Sequence, residues 1–468
     1  MGHHTSKFQK SLLFLKAAVR GEQKEFTTGS IRRAVFMLSV PMILEMLMES
    51  IFFLVDAYFV SSLGADAIAA VGLTESVMTL VYAIAIGVSM GVTSIVARRI
   101  GEKKVKEASK SAVQAILLGV GISVILSIIG IVFPKEILGV MGGDAELIEK
   151  GYGYTQILLG SNITVVLLFL INAIFRGAGD ASVAMKVLIF SNVLNILLDP
   201  VFIFGFGPVP AFGVKGAAIA TTIGRGSAVI CQFLILFYGT SKIKIQISDL
   251  VFRLKLMMNL LRVSAGGIGQ FIIGTSSWVL LMRIMSEFGS EVLAGYTIAV
   301  RVLMFTLMPS WGMSNAAATL VGQNLGAGAA DRAEQSVWKT GKYNAIFMFV
   351  VSVFYLLCAE MIIRIFSDDP LVVSSGALSL RMIAIGYVFY AYGMVIIQSF
   401  NGAGDTKTPT IINFFCFWLF QVPFAYIMAL VFDWGVMGVL IAISLAEALI
   451  AIIGIVIFKK GNWKKVTI

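Results

Sequence analysis

Three carboxylates share one face of an apolar run near the start of the chain. Glu45, Glu49 and Asp56 lie in the stretch Val35–Val60, separated by four and by seven residues. At 100° per residue those steps place all three within about 40° of one another, over about 16 Å of helix. A carboxylate near the centre of a membrane span costs about 2.5–3.5 kcal/mol on insertion scales. Such a stripe must therefore face a cavity or protein partners rather than lipid. A second polar stripe follows: Asn192, Asn195 and Asp199 are spaced i, i+3, i+7, and Pro200 comes directly after. Proline in a helix removes the hydrogen bond to the carbonyl four residues back, here that of Ile196. Two carboxylates, amide oxygens and the hydroxyl of Thr221 would form an all-oxygen cluster suited to a hard cation such as Na⁺. Two close carboxylates can equally share one proton, so the same residues serve H⁺. The expected role is ion coupling in a secondary transporter, and the residues leave H⁺ and Na⁺ both open.

The elements that would position these groups are long and apolar. Of 468 residues, 58% are hydrophobic and 13% charged, and mean hydropathy is +0.92. A soluble domain carries roughly a quarter charged residues. The apolar runs are solid and about 20 residues or longer, which fits helices and excludes an outer-membrane barrel. The expected fold is an all-α polytopic membrane protein with twelve transmembrane helices. The spans are placed near 33–61, 67–97, 108–132, 148–175, 182–205, 213–239, 258–286, 292–320, 334–364, 372–400, 408–431 and 435–458.

The net charge of +10 is not a nucleic-acid signal. Basic residues gather in alternate connections: Arg98 to Lys110, Arg176 and Lys186, Lys242 to Arg262, Arg332 to Lys342, and Lys459 to Lys465. Acids mark the connections between: Asp66, Asp144 to Glu149, Glu287 and Glu291, Asp368 and Asp369, and Asp433. By the positive-inside rule both termini are cytoplasmic, in a plasma or inner cell membrane. The N-terminal apolar stretch Leu12–Leu15 is too short for a signal peptide, and the lysines around it suggest an interfacial helix. Cys231, Cys358 and Cys416 read as apolar fillers, and the two histidines, His3 and His4, lie in the tail.

The chain also repeats. At an offset of 225, Phe175-Arg-Gly-Ala-Gly-Asp180 falls on Phe400-Asn-Gly-Ala-Gly-Asp405, Gly64 on Gly289, Gly101 on Gly326 and Asp144 on Asp369. At an offset of 222, Gly213-Val-Lys-Gly216 meets Gly435-Val-Met-Gly438. Each half holds six spans, so the two six-helix repeats should be related by a pseudo-two-fold axis along the membrane normal, with a cavity between them. The expected divisions are a basic interfacial segment 1–32, a lobe 33–240, a linker 241–257, a second lobe 258–460 and a tail 461–468. Asp56 falls on Leu281 in the second half, so the costly acid belongs to one repeat only. Pro41 breaks the helical ladder about four turns before Asp56 and is the expected hinge. Asp180 and Asp405 are expected to cap the helices that follow them. Glu45, Glu75 and Glu447 read as snorkelling or interfacial acids, and most methionines as lipid-facing filler, with Met46 the best candidate for an adaptable surface.

These landmarks together resemble the multidrug and toxic compound extrusion (MATE) family. They are Pro41 and Asp56, the turn Arg176-Gly-Ala-Gly-Asp180 and its repeat, Asn195-Ile-Leu-Leu-Asp-Pro200, and Gly213-Val-Lys-Gly-Ala-Ala-Ile-Ala-Thr221. The resemblance implies an antiporter that exports amphiphilic, often cationic organic compounds in exchange for H⁺ or Na⁺. It implies a cation site at Asp56, Asn195, Asp199 and Thr221, and a substrate cavity lined by Tyr154, Asn172 and Asn192. Glu49 and Met46 are expected on the same cavity face. The seventh span reads Gly266-Gly-Ile-Gly-Gln270 and the tenth carries no acid, which resembles the DinF-like branch, with its coupling site in the N-terminal half alone. A lipid-linked saccharide flippase is the alternative, and it would need a cationic cavity. No phosphate loop, metal-ligand spacing or nucleophile–base pair points to an enzyme. Expected partners are small amphiphiles and the bilayer, with no nucleic acid and no cofactor beyond the coupling ion; the protein is expected to be a monomer.

Overall fold

Apolar runs of this length satisfy their backbone in lipid only as helices, and the computed structural model, which describes residues 7–23, 25–239 and 241–468, is built from them. His3, His4 and Lys24 lie outside the described residues. Helix α1 (Lys7–Arg20) precedes α2 (Ile31–Ser61), α3 (Ala65–Gly101) and α4 (Val105–Val132). The short α5 (Pro134–Val140) leads into α6 (Ala145–Gly160) and α7 (Asn162–Ala178), which together make one span, and then α8 (Ala181–Phe204) and α9 (Val214–Tyr238). The second set runs α10 (Leu254–Met285), α11 (Ser290–Gly326), α12 (Ala330–Arg364), then α13 (Pro370–Ile385) and α14 (Tyr387–Ala403), bent by 56° at their junction. Helices α15 (Lys407–Asn413) and α16 (Val422–Tyr426) are joined through π-helical turns into one span, and α17 (Val436–Lys459) completes the set. Eleven described helices are long and apolar enough to cross a membrane, and the bent pair makes twelve spans. The bundle is all-α and polytopic, in two sets of six.

The repeat is visible in the backbone. Gly64 and Gly289 share φ values of 96° and 102°, and Gly179 and Gly404 share 86° and 88°. The break between α6 and α7 at Ser161 recurs between α13 and α14 at Gly386. The contacts between the two sets obey the same symmetry. A methyl group built on Gly101 would run into the Gln323 carbonyl, and one on Gly326 into the Arg98 carbonyl. Arg98 and Gln323 are themselves repeat partners. Gly267 approaches the Gly87 carbonyl to 2.6 Å from such a methyl, and Gly312 approaches the Met42 carbonyl, also to 2.6 Å. Small residues permit this because membrane helices associate by close packing rather than by a hydrophobic force between them.

All these approaches lie between Gly87 and the face that carries the basic connections. Hydrogen bonds across the seam lie there too: Ser94 to the Gly402 carbonyl, Arg98 to the Ala403 carbonyl, and Gln323 to the Gly177 carbonyl. Both chain ends reinforce this side. Arg332 of the second set donates to the carbonyls of Phe26, Thr28 and Gly29, and Arg98 of the first set donates to the Val466 carbonyl at 2.7 Å. Helix α1 docks on the same face, with Phe14 stacked on Phe36 at 4.6 Å and Ala18 buried.

Two expectations about polar residues are corrected. Asp405 caps as expected, accepting from the Thr408 amide. Asp180 makes no cap; its carboxylate takes the Ser241 hydroxyl at 2.7 Å and the Lys242 amide at 2.9 Å, tying down the connection between the sets. The acidic face also carries lysines that the reading of alternating charge passed over. Lys135 pairs with Glu149, and Lys150 pairs with Asp66 at 2.6 Å and Glu146 at 2.7 Å, so acids offset them locally.

Candidate cation and substrate sites

Helix α2 runs unbroken from Ile31 to Ser61 through Pro41, and all three of its acids are buried, with Glu45 1%, Glu49 5% and Asp56 9% exposed. They differ in their partners. Glu45 is no snorkelling residue: Arg176 of α7 donates to it at 2.7 Å and Asn172 at 3.2 Å. Gln232 of α9 in turn donates to the Asn172 oxygen at 2.7 Å. Arg176 is thus half of a buried ion pair as well as a residue of the basic face. Glu49 pairs with Arg225 of α9 at 3.1 Å, and that guanidinium stacks over Phe52 at 4.9 Å. The N-terminal stripe is therefore largely neutralised rather than openly acidic. Asp56 alone among the three has no ion pair among the described residues; it lies within electrostatic reach of Asp199, Glu75 and Arg225.

The polar stripe of α8 is held against α9 by glycines. Gly224 abuts Asn195, and a methyl group on Gly216 would strike the Phe202 carbonyl. This close crossing brings Thr221 to Asn195. With its amide oriented by its neighbours, Asn195 donates to Asp199 at 3.0 Å, and its oxygen accepts from the Thr221 hydroxyl at 3.3 Å. Asn195, Asp199 and Thr221 thus form one cluster on α8 and α9, with Asp56 facing it electrostatically from α2. Asp199 is completely buried. Among the described residues no three acidic, histidine or cysteine side chains converge on one metal-binding point. The oxygens here are two carboxylates, one amide and one hydroxyl.

A cavity of about 490 Å³ lies between the two six-helix sets. Glu45, Met46, Glu49 and Asn172 line it. Tyr154 and Asn192 do not, contrary to the expectation for both. Tyr154 is 4% exposed and sits within electrostatic reach of Asp56 and Asp199, and Asn192 spends its amide on the Met48 carbonyl at 3.0 Å. Tyr154 belongs to the buried N-terminal core, and Asn192 is turned to the backbone of α2.

Much of the remaining wall was not singled out in the sequence. Met90, Met304, Met308 and Met394 join Met46, and Tyr82, Phe271, Trp278, Trp311 and Tyr390 add aromatic faces. Met304, Met308 and Trp311 follow i, i+4, i+7 spacing on α11, a pattern that marks one helix face but not what it faces. Glu447 also lines the cavity, 8% exposed, with the Tyr390 hydroxyl in hydrogen-bonding range. It is neither snorkelling nor interfacial. Among the described residues, the lining includes three carboxylates and no lysine or arginine.

The repeat relates the polar pairs of the two sets. Glu45 and Arg176 correspond to Gln270 and Asn401, which exchange two amide hydrogen bonds of 3.0 Å. A buried ion pair in one lobe stands where the other has a neutral amide pair. Asp56 corresponds to Leu281, completely buried in apolar surroundings.

A family model described as MatE matches residues 41–201 and 268–427, one stretch in each six-helix set. The chain is similar to the probable multidrug resistance protein NorM of Thermotoga maritima, 26% identical over 93% of this chain and 94% of that protein. It is also similar to the multidrug export protein MepA of Staphylococcus aureus, 21% identical over 92% and 94% of the two chains. A solved structure described as the outward-facing conformation of a multidrug resistance MATE family transporter superposes with a TM-score of 0.88, at 27% identity, covering 95% of this chain and 99% of that one.

Proposed function

The chain belongs to the MatE family, and from that premise we propose that it is a secondary antiporter exporting amphiphilic, often cationic organic compounds in exchange for H⁺ or Na⁺. The observation that carries this reading is that one helix, α2, serves two sites. Its residues Glu45, Met46 and Glu49 line the central cavity, and its Asp56 addresses the Asn195–Asp199–Thr221 cluster. A cation arriving between Asp56 and Asp199 removes the repulsion of two close carboxylates. That draws α2 toward α8, and Pro41 gives α2 a place to bend. The cavity face of α2 moves with it.

The basic face is assigned to the cytoplasm, and with it both termini. On that assignment the seam is closed toward the cytoplasm and the cavity is available from outside, an outward-facing state. The divisions 33–240 and 258–460 are the two rocking lobes, 241–257 their linker, and 1–32 and 461–468 the terminal segments, of which Phe26 to Gly29 and Val466 brace the cytoplasmic seam. The flippase reading is not favoured, because a pyrophosphate would need cationic lining and no lysine or arginine is among the described residues that line the cavity.

The test is transport into proteoliposomes under an imposed H⁺ or Na⁺ gradient, with a fluorescent organic cation as cargo. Asp56→Asn and Asp199→Asn should each abolish gradient-driven transport at normal protein levels. Collapse of the wild-type signal by an H⁺ ionophore or by Na⁺ removal identifies the ion. Full transport by Asp56→Asn would sink the model.

A further inference from the structure

The repeat places Glu447 at the position of Arg225, at the offset of 222 that aligns Gly213 with Gly435. The partner of Arg225, Glu49, corresponds at the offset of 225 to Gly274. The N-terminal lobe therefore closes this position with a buried ion pair of 3.1 Å, while the C-terminal lobe offers a carboxylate opposite a residue without a side chain. The space is open: a methyl group built on Gly274 would meet nothing within 4 Å. Both Gly274 and Glu447 line the central cavity. The other two cavity carboxylates, Glu45 and Glu49, already have guanidinium partners. Glu447 has the Tyr390 hydroxyl and, among the described residues, no cationic partner.

We propose that Glu447 and the open space at Gly274 form the seat for the positive charge of the exported compound. The drug cation and the coupling cation then occupy different lobes. This rests on the export reading above and adds where the cargo binds. A buried carboxylate gains most from a cation that brings its own charge into the site. Trp278 and Trp311, which line the same cavity, supply aromatic faces for a planar or quaternary cation, and Met394 in that wall supplies adaptable apolar contact. The Tyr390 hydroxyl lies in range to donate to that carboxylate. The N-lobe pair shows the geometry in miniature, with the substrate taking in the second lobe the part that a guanidinium takes in the first.

The test uses purified full-length protein and two fluorescent probes, ethidium as a fixed cation and N-phenyl-1-naphthylamine as an uncharged amphiphile. Glu447→Gln keeps the shape and an acceptor for Tyr390. It should bind ethidium roughly ten- to a hundred-fold more weakly than wild type, with the neutral probe unchanged within about two-fold. Glu447→Asp should recover most of the ethidium binding. Ethidium binding by Glu447→Gln equal to wild type would overturn the inference and leave the export reading standing. Equal loss of both probes would assign Glu447 to packing and overturn it as well. Displacement of ethidium by Na⁺ that persists in Asp56→Asn and Asp199→Asn would give Glu447 to the inorganic ion instead. A wild type that binds neither probe would refute the export reading, and the inference with it.

Discussion

Arg225 is 2% exposed, and its pairing with Glu49 is the kind of buried charge contact that fails badly when halved. Arg225→Met leaves a buried carboxylate without its cation, at a cost of about 3–5 kcal/mol. It also removes the stacking on Phe52, worth about 0.5–2 kcal/mol. The double variant Glu49→Gln/Arg225→Met removes both charges together, and such replacements are often neutral or mildly stabilising. The expected pattern is strongly non-additive: the single variant is damaged and the second substitution repairs most of the damage. One kcal/mol moves the melting temperature of a chain this long by about 1–2 °C, extending the size trend of smaller domains, so Arg225→Met should melt about 4–14 °C low. The assay is thermal unfolding of detergent-purified protein at one scan rate, since membrane proteins of this size unfold irreversibly. Melting temperatures for the double variant as low as for Arg225→Met would refute the pairing argument. Arg225 also lies within electrostatic reach of Asp56, so the repaired double variant should still show altered ion dependence of transport.

Four further outcomes follow from the geometry. Gly326→Val places a side chain against the Arg98 carbonyl and should hold the basic side of the seam ajar; in a background with Cys231, Cys358 and Cys416 replaced by Ser, Met46→Cys should then react faster with an impermeant thiol reagent applied from that face. Arg98→Met loses donations to the Ala403 and Val466 carbonyls and should open the same route without added bulk, by roughly ten-fold in labelling rate for about 1.4 kcal/mol lost. Asp180→Ala releases Ser241 and the Lys242 amide, so tryptic cleavage in the 241–255 connection should rise by at least about ten-fold, while Asp405→Ala leaves it unchanged. Lys464 donates to Glu334 at 2.6 Å, tying the C-terminal segment to α12. Glu334→Gln removes the charge from that pair, so hydrogen exchange in residues 463–468 at one fixed pH should rise by up to about five-fold over wild type, for about 1 kcal/mol or less lost from this part-exposed pair.

The spans and the six-plus-six repeat were legible in the sequence, because membrane helices announce themselves by length and hydropathy and the loop glycines recur at a fixed offset. For the Asn195–Asp199–Thr221 cluster, spacing put the first two on one face and the family resemblance supplied Thr221 as their partner; the close α8–α9 crossing that joins them was not legible. The pairing of Glu45 with Arg176 and of Glu49 with Arg225 was hidden, because each joins spans more than a hundred residues apart. A positive charge near a span end reads as a loop cation until its partner is seen. Glu447 was misjudged for the same reason. Its counterpart becomes visible only when the 222 offset is carried from the glycine turn into the helix, where it lands on an arginine. The C-terminal cavity wall escaped notice because Trp, Met and Tyr are as common on lipid-facing and core surfaces as on binding surfaces.

A protein that alternates between two openings cannot afford buried ion pairs that break at each turn, since half of such a pair costs several kcal/mol. The placement of charge here respects that limit. The Glu45–Arg176 and Glu49–Arg225 pairs join helices of one lobe, and so does the Gln270–Asn401 amide pair. The seam is instead crossed by donations from Ser94, Arg98, Thr319 and Gln323 to backbone carbonyls, each modest in net worth and replaceable by water on opening. Its glycine contacts are symmetric, Gly101 on Gln323 against Gly326 on Arg98, so both lobes can roll on equivalent surfaces. The charges are not symmetric: Asp56 has no acidic counterpart, and Glu447 stands where its counterpart is an arginine. Symmetric packing with asymmetric charge is what two lobes require if they move alike but bind different cations. It follows that Leu281→Asp, which restores symmetry at the position of Asp56, should add an unpaired buried acid to the C-terminal lobe and lower stability by about 3 kcal/mol or more without creating a second coupling site; gain of ion-driven transport by Leu281→Asp in an Asp56→Asn background would contradict this division of labour.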